Sequence, residues 1–260
     1  MQLDHPYIVK LVRTFRDEER LYFLLEFVKG LDLFDVIKQL NILDVDQAKF
    51  YVACMLLMVK HMHEKKIIFR DLKPENIMIA EDGYPKLIDF GTAKMINGRT
   101  YTVVGTPHYI APEIISGKGY GFSVDCYSIG VMLYEFLCGH VPFGEDEEDP
   151  FVVYQKVLQH RLVFPDFLKN CKASKDVINL LLDRNPALRR SSQIIAHSWF
   201  RNCDWEALLL RKIEPPFKPS TWRVDKAIER AKKCGHLIDL DDVIQVESLN
   251  LPPRDWDTDF

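Results

Sequence analysis

The sequence has no C-x-x-C pair of cysteines, no long apolar run and no excess of basic residues. Six widely spaced cysteines suit reduced thiols better than a zinc site or a disulfide framework. The run at 52–59 is far too short to span a bilayer, and the first residues do not form a signal region. With 34 Lys and Arg against 38 Asp and Glu, no global charge attracts nucleic acid. We expect a cytoplasmic protein with no membrane span and no nucleic-acid partner.

The first part of the chain has the apolar spacing of strands followed by helices. Residues 8–15 and 21–27 are apolar and β-prone and flank a polar turn, which predicts two strands. Asp32 is a candidate cap for a short helix, and a longer helix is predicted from about Asp44. Its predicted buried stripe consists of Ala48, Tyr51, Val52, Met55, Leu56, Val59 and Met62.

Later segments add a hairpin and more helices. Residues 77–79 and 85–88 flank a turn that ends in Gly83, which predicts a hairpin. Residues 124–137 are apolar on most sides and predict a central helix. A proline-rich shift at 215 predicts a tail that lies over a surface. Strands first and helices later indicate an α+β fold, in which a small sheet lies beside a helical body.

Four short motifs follow one another in the middle of the chain. They are F-R-D-L-K-P-E-N at 69–76, D-F-G at 89–91, G-T-P at 105–107 and A-P-E at 111–113. Each motif is weak alone, but in this order and spacing the sequence resembles the eukaryotic protein kinase family over essentially its whole length. The resemblance implies a protein-kinase-like fold with a mainly helical large lobe. It divides the chain into a remnant of the small β lobe and hinge (1–28), the large lobe (29–200) and a C-terminal tail (201–260).

The resemblance also implies the parts of a phosphoryl-transfer site. Asp71 matches the carboxylate that orients the attacking hydroxyl and accepts its proton, and Lys73 matches a cation that offsets phosphoryl charge. Asn76 and Asp89 match the Mg²⁺ ligands, which suits a cation that prefers oxygen donors. Without the surrounding pattern, a turn cap would be the favoured role for Asp71 and an Asx turn the favoured role for Asp89.

Nucleotide contacts are implied at the start of the chain. Glu26, Phe27 and Val28 match the hinge that contacts the adenine of ATP. Asp32 belongs to the same set of nucleotide-binding residues, and it also matches an acidic position that receives arginine.

Substrate contacts follow from the same resemblance. Together with Asp32, Glu75 and Glu135 match carboxylates that receive arginines before the phosphoacceptor in basophilic kinases, although solvated surface acids are the alternative. Thr106 and Lys73 match the pair that favours serine or threonine over tyrosine. Protein substrates with basic motifs are therefore the expected partners.

An activation segment and two structural ties are also implied. Thr102 matches a regulatory phosphorylation site, and Arg70 and Lys94 match the cations that pair with its phosphate. The alternative is an unmodified loop threonine.

For the structural ties, Glu113 is expected to form a buried ion pair with Arg189. Asp125 is expected to hold the backbone of the catalytic loop.

Two features narrow the resemblance to the AGC group of kinases. Phe69 stands where most kinases have histidine. An aromatic residue at this position is similar to the cyclic-nucleotide-dependent kinases. The ending W-D-T-D-F at 256–260 resembles that of cGMP-dependent protein kinases, with cAMP-dependent catalytic subunits as near neighbours. A cyclic-nucleotide-binding regulatory region, in cis or in trans, is therefore a possible partner.

In a complete kinase, a Gly-rich loop, a strand lysine and a helix glutamate precede the segment that residues 3–12 resemble. This sequence contains none of the three. We expect Met1 to be an internal methionine of a longer kinase and this chain alone to transfer phosphate feebly or not at all. A truncated pseudokinase that binds partners is the alternative. A Mg²⁺-dependent hydrolase or nuclease is a remoter one, because it leaves the activation-segment motif unexplained.

Overall fold

The computed structural model describes residues 3–17 and 20–233, so the ending at 256–260 lies outside the described residues. The described strands are β1 (Leu11–Arg16), β2 (Leu21–Leu25), β3 (Gly30–Asp32), β4 (Ile67–Ile68), β5 (Ile77–Ala80), β6 (Pro85–Leu87) and β7 (Lys94–Met95). The described helices are α1 (Leu33–Leu40), α2 (Val45–Glu64), α3 (Pro112–Ile115), α4 (Ser123–Cys138), α5 (Pro150–Gln159), α6 (Lys172–Leu181), α7 (Ser191–Ile195), α8 (Trp205–Leu209) and α9 (Thr221–Lys233). The predicted α+β class is confirmed.

Helix α2 forms because its N-terminus is capped and its apolar residues recur at helical spacing. The side chain of Asp44 accepts bonds from the backbone N–H groups of Asp46 and Gln47, and Gln47 completes a capping box. Every residue of the predicted stripe is buried. The helix packs against α4, which is buried on nearly all sides and ends at Gly139 in a left-handed conformation (φ 80°). These two helices form the centre of the core.

Within residues 3–17 and 20–233, three small antiparallel sheets accompany the helices. Strands β1 and β2 form a hairpin, β5 lies between β3 and β6, and β4 pairs with β7. In the register of β5 and β6, Ile77 pairs with Leu87, as the hairpin prediction requires. The hairpin of β5 and β6 and the short β4 strand lie on either side of the segment 69–76. They therefore fix both ends of the segment that carries the F-R-D motif.

Two details of the sequence-based expectations are wrong. Asp32 occupies the position before α1, but its side chain forms no capping hydrogen bond. The region after residue 215 contains helix α9, whose Val224 is fully buried and whose Ala227 and Ile228 pack against the core. The low apolar content of this helix conceals it, because only a narrow stripe contacts the body. None of the helices among the described residues combines the length and hydropathy needed to cross a bilayer.

Candidate active site

The loop after β4 is held in place by a carboxylate from α4. Asp125 is fully buried, and its oxygens accept the backbone N–H groups of Phe69 (3.0 Å) and Arg70 (2.8 Å). His63 Nε2 lies 2.8 Å from Asp125 Oδ2. These bonds hold Arg70 in a left-handed conformation (φ 77°), which a residue with a side chain adopts only when its surroundings impose it. Helix α4 therefore sets the direction in which the chain enters residue 71.

Three of the predicted site residues meet around the carboxylate of a fourth, Asp71. The Thr106 hydroxyl donates to Asp71 Oδ1 (2.8 Å) and accepts a bond from Lys73 Nζ (2.8 Å). Lys73 Nζ also lies 3.3 Å from Asp71 Oδ2. Asn76 Nδ2 donates to the Asp71 backbone carbonyl (2.8 Å) and to Oδ2 (3.1 Å). The carboxylate is therefore oriented by a hydroxyl, an ammonium group and an amide at once.

Asn76 and Asp89 lie at the same edge of the β5–β6 hairpin. Asn76 immediately precedes β5, Asp89 follows β6, and the backbone N–H of Ile88 donates to the Asn76 carbonyl (3.0 Å). Asp89 is exposed, and its Oδ1 accepts the Gly91 N–H (2.8 Å).

Because Asn76 Nδ2 is used by Asp71, its amide oxygen is left as a ligand atom. An amide oxygen and a carboxylate are donors that Mg²⁺ prefers, so the set fits that cation. No group of three or more His, Cys, Asp and Glu suited to a metal occurs within 3–17 and 20–233.

The predicted hinge residues lie between β2 and β3. The Glu26 N–H donates to the Lys10 carbonyl (2.9 Å), and the Glu26 carboxylate forms an ion pair with Lys86. Burial acts to raise the pKa of Glu26, but the bonds from Lys86 and Lys10 hold it below its ordinary value. Phe27 is exposed and Val28 is half-buried, so both side chains remain accessible.

Asp32 and Glu75 contribute to one acidic region of the surface. The pKa of Asp32 is raised, first by loss of solvent and then by the charges of Asp35 and Glu75. Asp32 pairs with Met78 across β3 and β5, which brings it near the segment that carries Glu75.

A second acidic group surrounds Glu135 on α4. The Tyr109 hydroxyl donates to Glu135 Oε2 (2.7 Å). Burial raises the pKa of Glu135 to about 7; the Tyr109 bond opposes this rise, and the charges of Glu145 and Glu75 add to it. The predicted pair Glu75 and Glu135 is thus joined by Glu145, which the sequence patterns did not single out. Its only signal was a run of acidic residues at 145–149, a pattern that is usually a solvated loop.

The predicted phosphorylation site is exposed on the activation segment. The Thr102 carbonyl accepts the Tyr120 hydroxyl (2.5 Å), whereas the Thr102 side chain faces the surface. Arg70 Nε donates to the Thr92 carbonyl (2.5 Å), but its buried Nη1 has no partner among the described residues. Lys94 Nζ donates to the hydroxyl of Thr100 (3.2 Å), two residues before Thr102. Arg70 therefore has unused donor capacity, and its backbone carbonyl lies close to Gly105, three residues after Thr102.

The predicted structural pair lies beneath the A-P-E motif. Arg189 is fully buried and forms an ion pair with Glu113, and its guanidinium packs over the Tyr127 ring at 5.2 Å. Arg189 also donates to the carbonyls of Asp183 and Ser123. The pair therefore joins α3, the start of α4 and the turn before α7.

Comparisons with known proteins agree with this geometry. The protein kinase domain family matches residues 1–200. A cGMP-dependent protein kinase of Toxoplasma gondii is 45% identical over 99% of this chain, and one of Plasmodium berghei is 43% identical over 99%. A cAMP-dependent protein kinase catalytic subunit of Homo sapiens is 40% identical over 84% of the chain and is covered over 62% of its own length.

The chain spans only 26% and 30% of the two cGMP-dependent kinases. The family match nevertheless covers most of the chain and contains all four motifs. The chain therefore belongs to the protein kinase family and is similar to the kinases of its AGC group.

Proposed function

We propose that the protein transfers the γ-phosphoryl group of ATP to serine and threonine hydroxyls of protein substrates. The observation that carries this proposal is the hydrogen-bonded set of Asp71, Lys73 and Thr106. ATP with Mg²⁺ supplies the phosphoryl group and the metal charge. Asp71 orients the acceptor hydroxyl and takes its proton, and Lys73 offsets the negative charge that develops on the phosphoryl oxygens.

Three further residues and the hinge complete this proposed site. Asn76 and Asp89 hold the metal through oxygen atoms, and Thr106 keeps Asp71 and Lys73 in register. Residues 26–28, together with Asp32, contact the nucleotide. A pseudokinase that has lost phosphoryl transfer does not need Asp71, Lys73, Thr106 and Asn76 to be bonded to one another. Their bonding therefore supports an active kinase over the pseudokinase alternative.

The acidic residues support a preference for arginine-containing substrates. The charges of Glu145 and Glu75 both act on Glu135, and the charge of Glu75 also acts on Asp32. A bound guanidinium stabilises neighbouring carboxylates by forming paired, charge-assisted hydrogen bonds with them. A basic sequence before the phosphoacceptor meets that requirement.

Regulation by phosphorylation of Thr102 belongs to the same proposal. A phosphate there adds about −1.5 to −2 charge and accepts hydrogen bonds from cations. Arg70, whose Nη1 lacks a partner among the described residues, and Lys94 are the proposed partners. Because Arg70 directly precedes Asp71, such a bond connects the activation segment with the catalytic residue.

Two matters of cellular context complete the proposal. The names of the relatives support control by cyclic nucleotide through a binding region in cis or in trans. A cytoplasmic site of action is the simplest one for a protein kinase of this group, and cell fractionation with an antibody to this chain tests it.

The decisive experiment measures transfer of radioactive phosphate from ATP to short peptides. Because the cGMP-dependent relatives are three to four times longer than this chain, the assay uses the natural protein, purified from its source cells with that antibody. We expect transfer to a peptide in which two arginines precede the serine. We expect no transfer to the same peptide with tyrosine in place of that serine. Replacing the arginines by norleucine is expected to weaken the reaction at least about tenfold. Nucleotide binding without transfer to any peptide would favour the pseudokinase alternative.

A further inference from the structure

A cavity lies at the end of α2 that is farthest from the catalytic loop. It has a volume of about 630 Å³, and its walls come from the first turns of α2 and α6 and from the segment 198–202. Helix α2 has twenty residues, so about 30 Å separates its two ends. The cavity is therefore distinct from the site around Asp71.

Three cationic side chains line this cavity, which we call the basic pocket: Lys49, Lys172 and Arg201. Lys172 and Arg201 form no ion pair with any described residue. Lys49 lies 3.4 Å from the highly exposed Asp46 and 5.4 Å from the centre of the Trp199 ring. The whole chain has a net charge of −4, so a concentration of three cations around one cavity is a local departure from its composition.

A buried hydroxyl in the wall of the basic pocket has an unused hydrogen. Ser174 is only 3% exposed, and its oxygen accepts the indole N–H of Trp199 (3.0 Å). Its own hydrogen has no acceptor within the described part of the chain, although buried hydroxyls usually donate as well as accept. The first turn of α6 presents further donors, because Cys171 provides no side-chain cap. Cations, a hydroxyl and backbone N–H groups together are suited to an oxyanion.

An adjoining cavity indicates what kind of molecule carries the anion. It has a volume of about 490 Å³ and shares Lys49 and Asn202 with the basic pocket. Phe50, Ala53 and Leu208 give this cavity an apolar wall, and four carboxylates lie around it: Asp44, Asp46, Asp204 and Glu214. A peptide can insert a charged side chain into one cavity and an apolar side chain into its neighbour, whereas an isolated inorganic anion or an inositol phosphate uses only the first.

We propose that the basic pocket binds a phosphorylated serine or threonine of a partner protein, with a nearby apolar residue of that partner in the adjoining cavity. Lys172 and Arg201 pair with the phosphate, Lys49 contacts it between the two cavities, and the Ser174 hydroxyl donates to one of its oxygens. This site is a docking site for phosphoproteins. It does not depend on the phosphoryl-transfer activity proposed above.

Fluorescence anisotropy tests the proposal on the 260-residue chain. The probes are nine-residue peptides with a central phosphoserine and a leucine placed two, three, four or five residues after it, each paired with its unphosphorylated form. We expect at least one phosphopeptide to bind about tenfold or more tightly than its unphosphorylated partner. Binding is expected to weaken as the salt concentration rises, because the cations are partly exposed.

Substitutions distinguish the basic pocket from general charge attraction. The double variant Lys172→Gln with Arg201→Gln is expected to lose about tenfold or more in affinity, and Ser174→Ala about threefold. The matched control, Arg190→Gln with Lys212→Gln, removes the same charge from exposed positions outside the cavity and is expected to stay within about twofold. Thermal melting checks that all variants are folded.

Several results would overturn the proposal. They are equal binding of phosphorylated and unphosphorylated peptides, equal losses in the pocket variant and the control variant, or binding of inositol hexakisphosphate in the absence of any phosphopeptide binding. Inorganic phosphate serves as a competitor, and it is expected to displace the peptide only at far higher concentration, because it cannot occupy the adjoining cavity.

Discussion

The loop at residues 69–76 and the β1–β2 hairpin are built in opposite ways. In the loop, Phe69 and Leu72 are fully buried, and Asp71 accepts hydrogen bonds from Asn76 and Thr106. In the hairpin, Val12 and Phe23 are 55% and 54% exposed although both are apolar. The loop is thus held by the helical body beneath it, whereas the hairpin adds little apolar packing among the described residues. Positioning of Asp71 and its bonded neighbours is therefore a property of the α2–α4 core, and exposed apolar surface is a property of the hairpin.

The largest expected effect comes from breaking the buried ion pair under the loop. Arg189→Met leaves Glu113 without its cation, and Glu113 Oε2 already has no partner among the described residues. We expect the free energy of unfolding to fall by about 3–5 kcal/mol, as measured by urea denaturation.

The double variant Glu113→Leu with Arg189→Met is the control for this prediction. It removes both charges, so it is expected to recover much of the lost stability. If the double variant is as unstable as the single one, packing of the Arg189 stem and not charge compensation is the cause.

A smaller effect is expected where the activation segment approaches the loop. A side chain at Gly105 (φ 123°) would lie 2.8 Å from the Arg70 carbonyl oxygen, whereas Gly98 has nearly the same φ (124°) and open space around it. We expect Gly105→Ala to cost about 2–3 kcal/mol and Gly98→Ala about 1 kcal/mol in urea denaturation. Equal costs would show that backbone conformation, and not contact with the loop, restricts Gly105.

The pH dependence of arginine binding tests the acidic group on α4. Because the pKa of Glu135 is raised to about 7, its ionised fraction grows from about one tenth at pH 6 to about nine tenths at pH 8. We expect the affinity for a peptide with two arginines to rise about tenfold over that range, measured by calorimetry. The same carboxyl affects folding stability in the opposite direction, because its ionisation is unfavourable in the folded state. Its contribution to the free energy of unfolding is greatest below its ordinary pKa and is lost as the pH rises through 7.

Glu135→Gln is the matched variant for the pH experiment. It keeps the shape of the side chain and is expected to bind the peptide weakly with a flat pH profile. A profile that keeps its slope in Glu135→Gln would assign the titration to another group.

The smallest effect is expected in the hairpin. Phe23→Ser replaces an exposed apolar side chain on β2, so the free energy of unfolding is expected to change by less than about 0.5 kcal/mol. Solubility is expected to rise, since an exposed apolar strand surface promotes association. Light scattering during concentration measures this, and a large loss of stability would mean that the hairpin contributes to the core.

How much could be predicted from the sequence depended on whether the signal was local. Helix α2 was predictable because its cap and its apolar stripe both lie within 44–62, and the motifs at 69–113 led to the residues that meet at Asp71. Glu145 was missed because its proximity to Glu135 depends on how the chain folds after α4. Helix α9 was missed because only a few apolar residues attach it to the body.

The central claim, that Asp71 directs an acceptor hydroxyl, is tested most directly by single-turnover phosphate transfer in the natural protein with Asp71→Asn. Asparagine keeps the shape of the side chain, and its single amide oxygen can still accept the Thr106 hydroxyl, but its NH2 group cannot accept from Lys73 and the amide cannot take a proton. We predict that ATP affinity stays within about threefold while the rate of transfer falls at least about a hundredfold. Transfer at the rate of the unmodified protein would contradict the account.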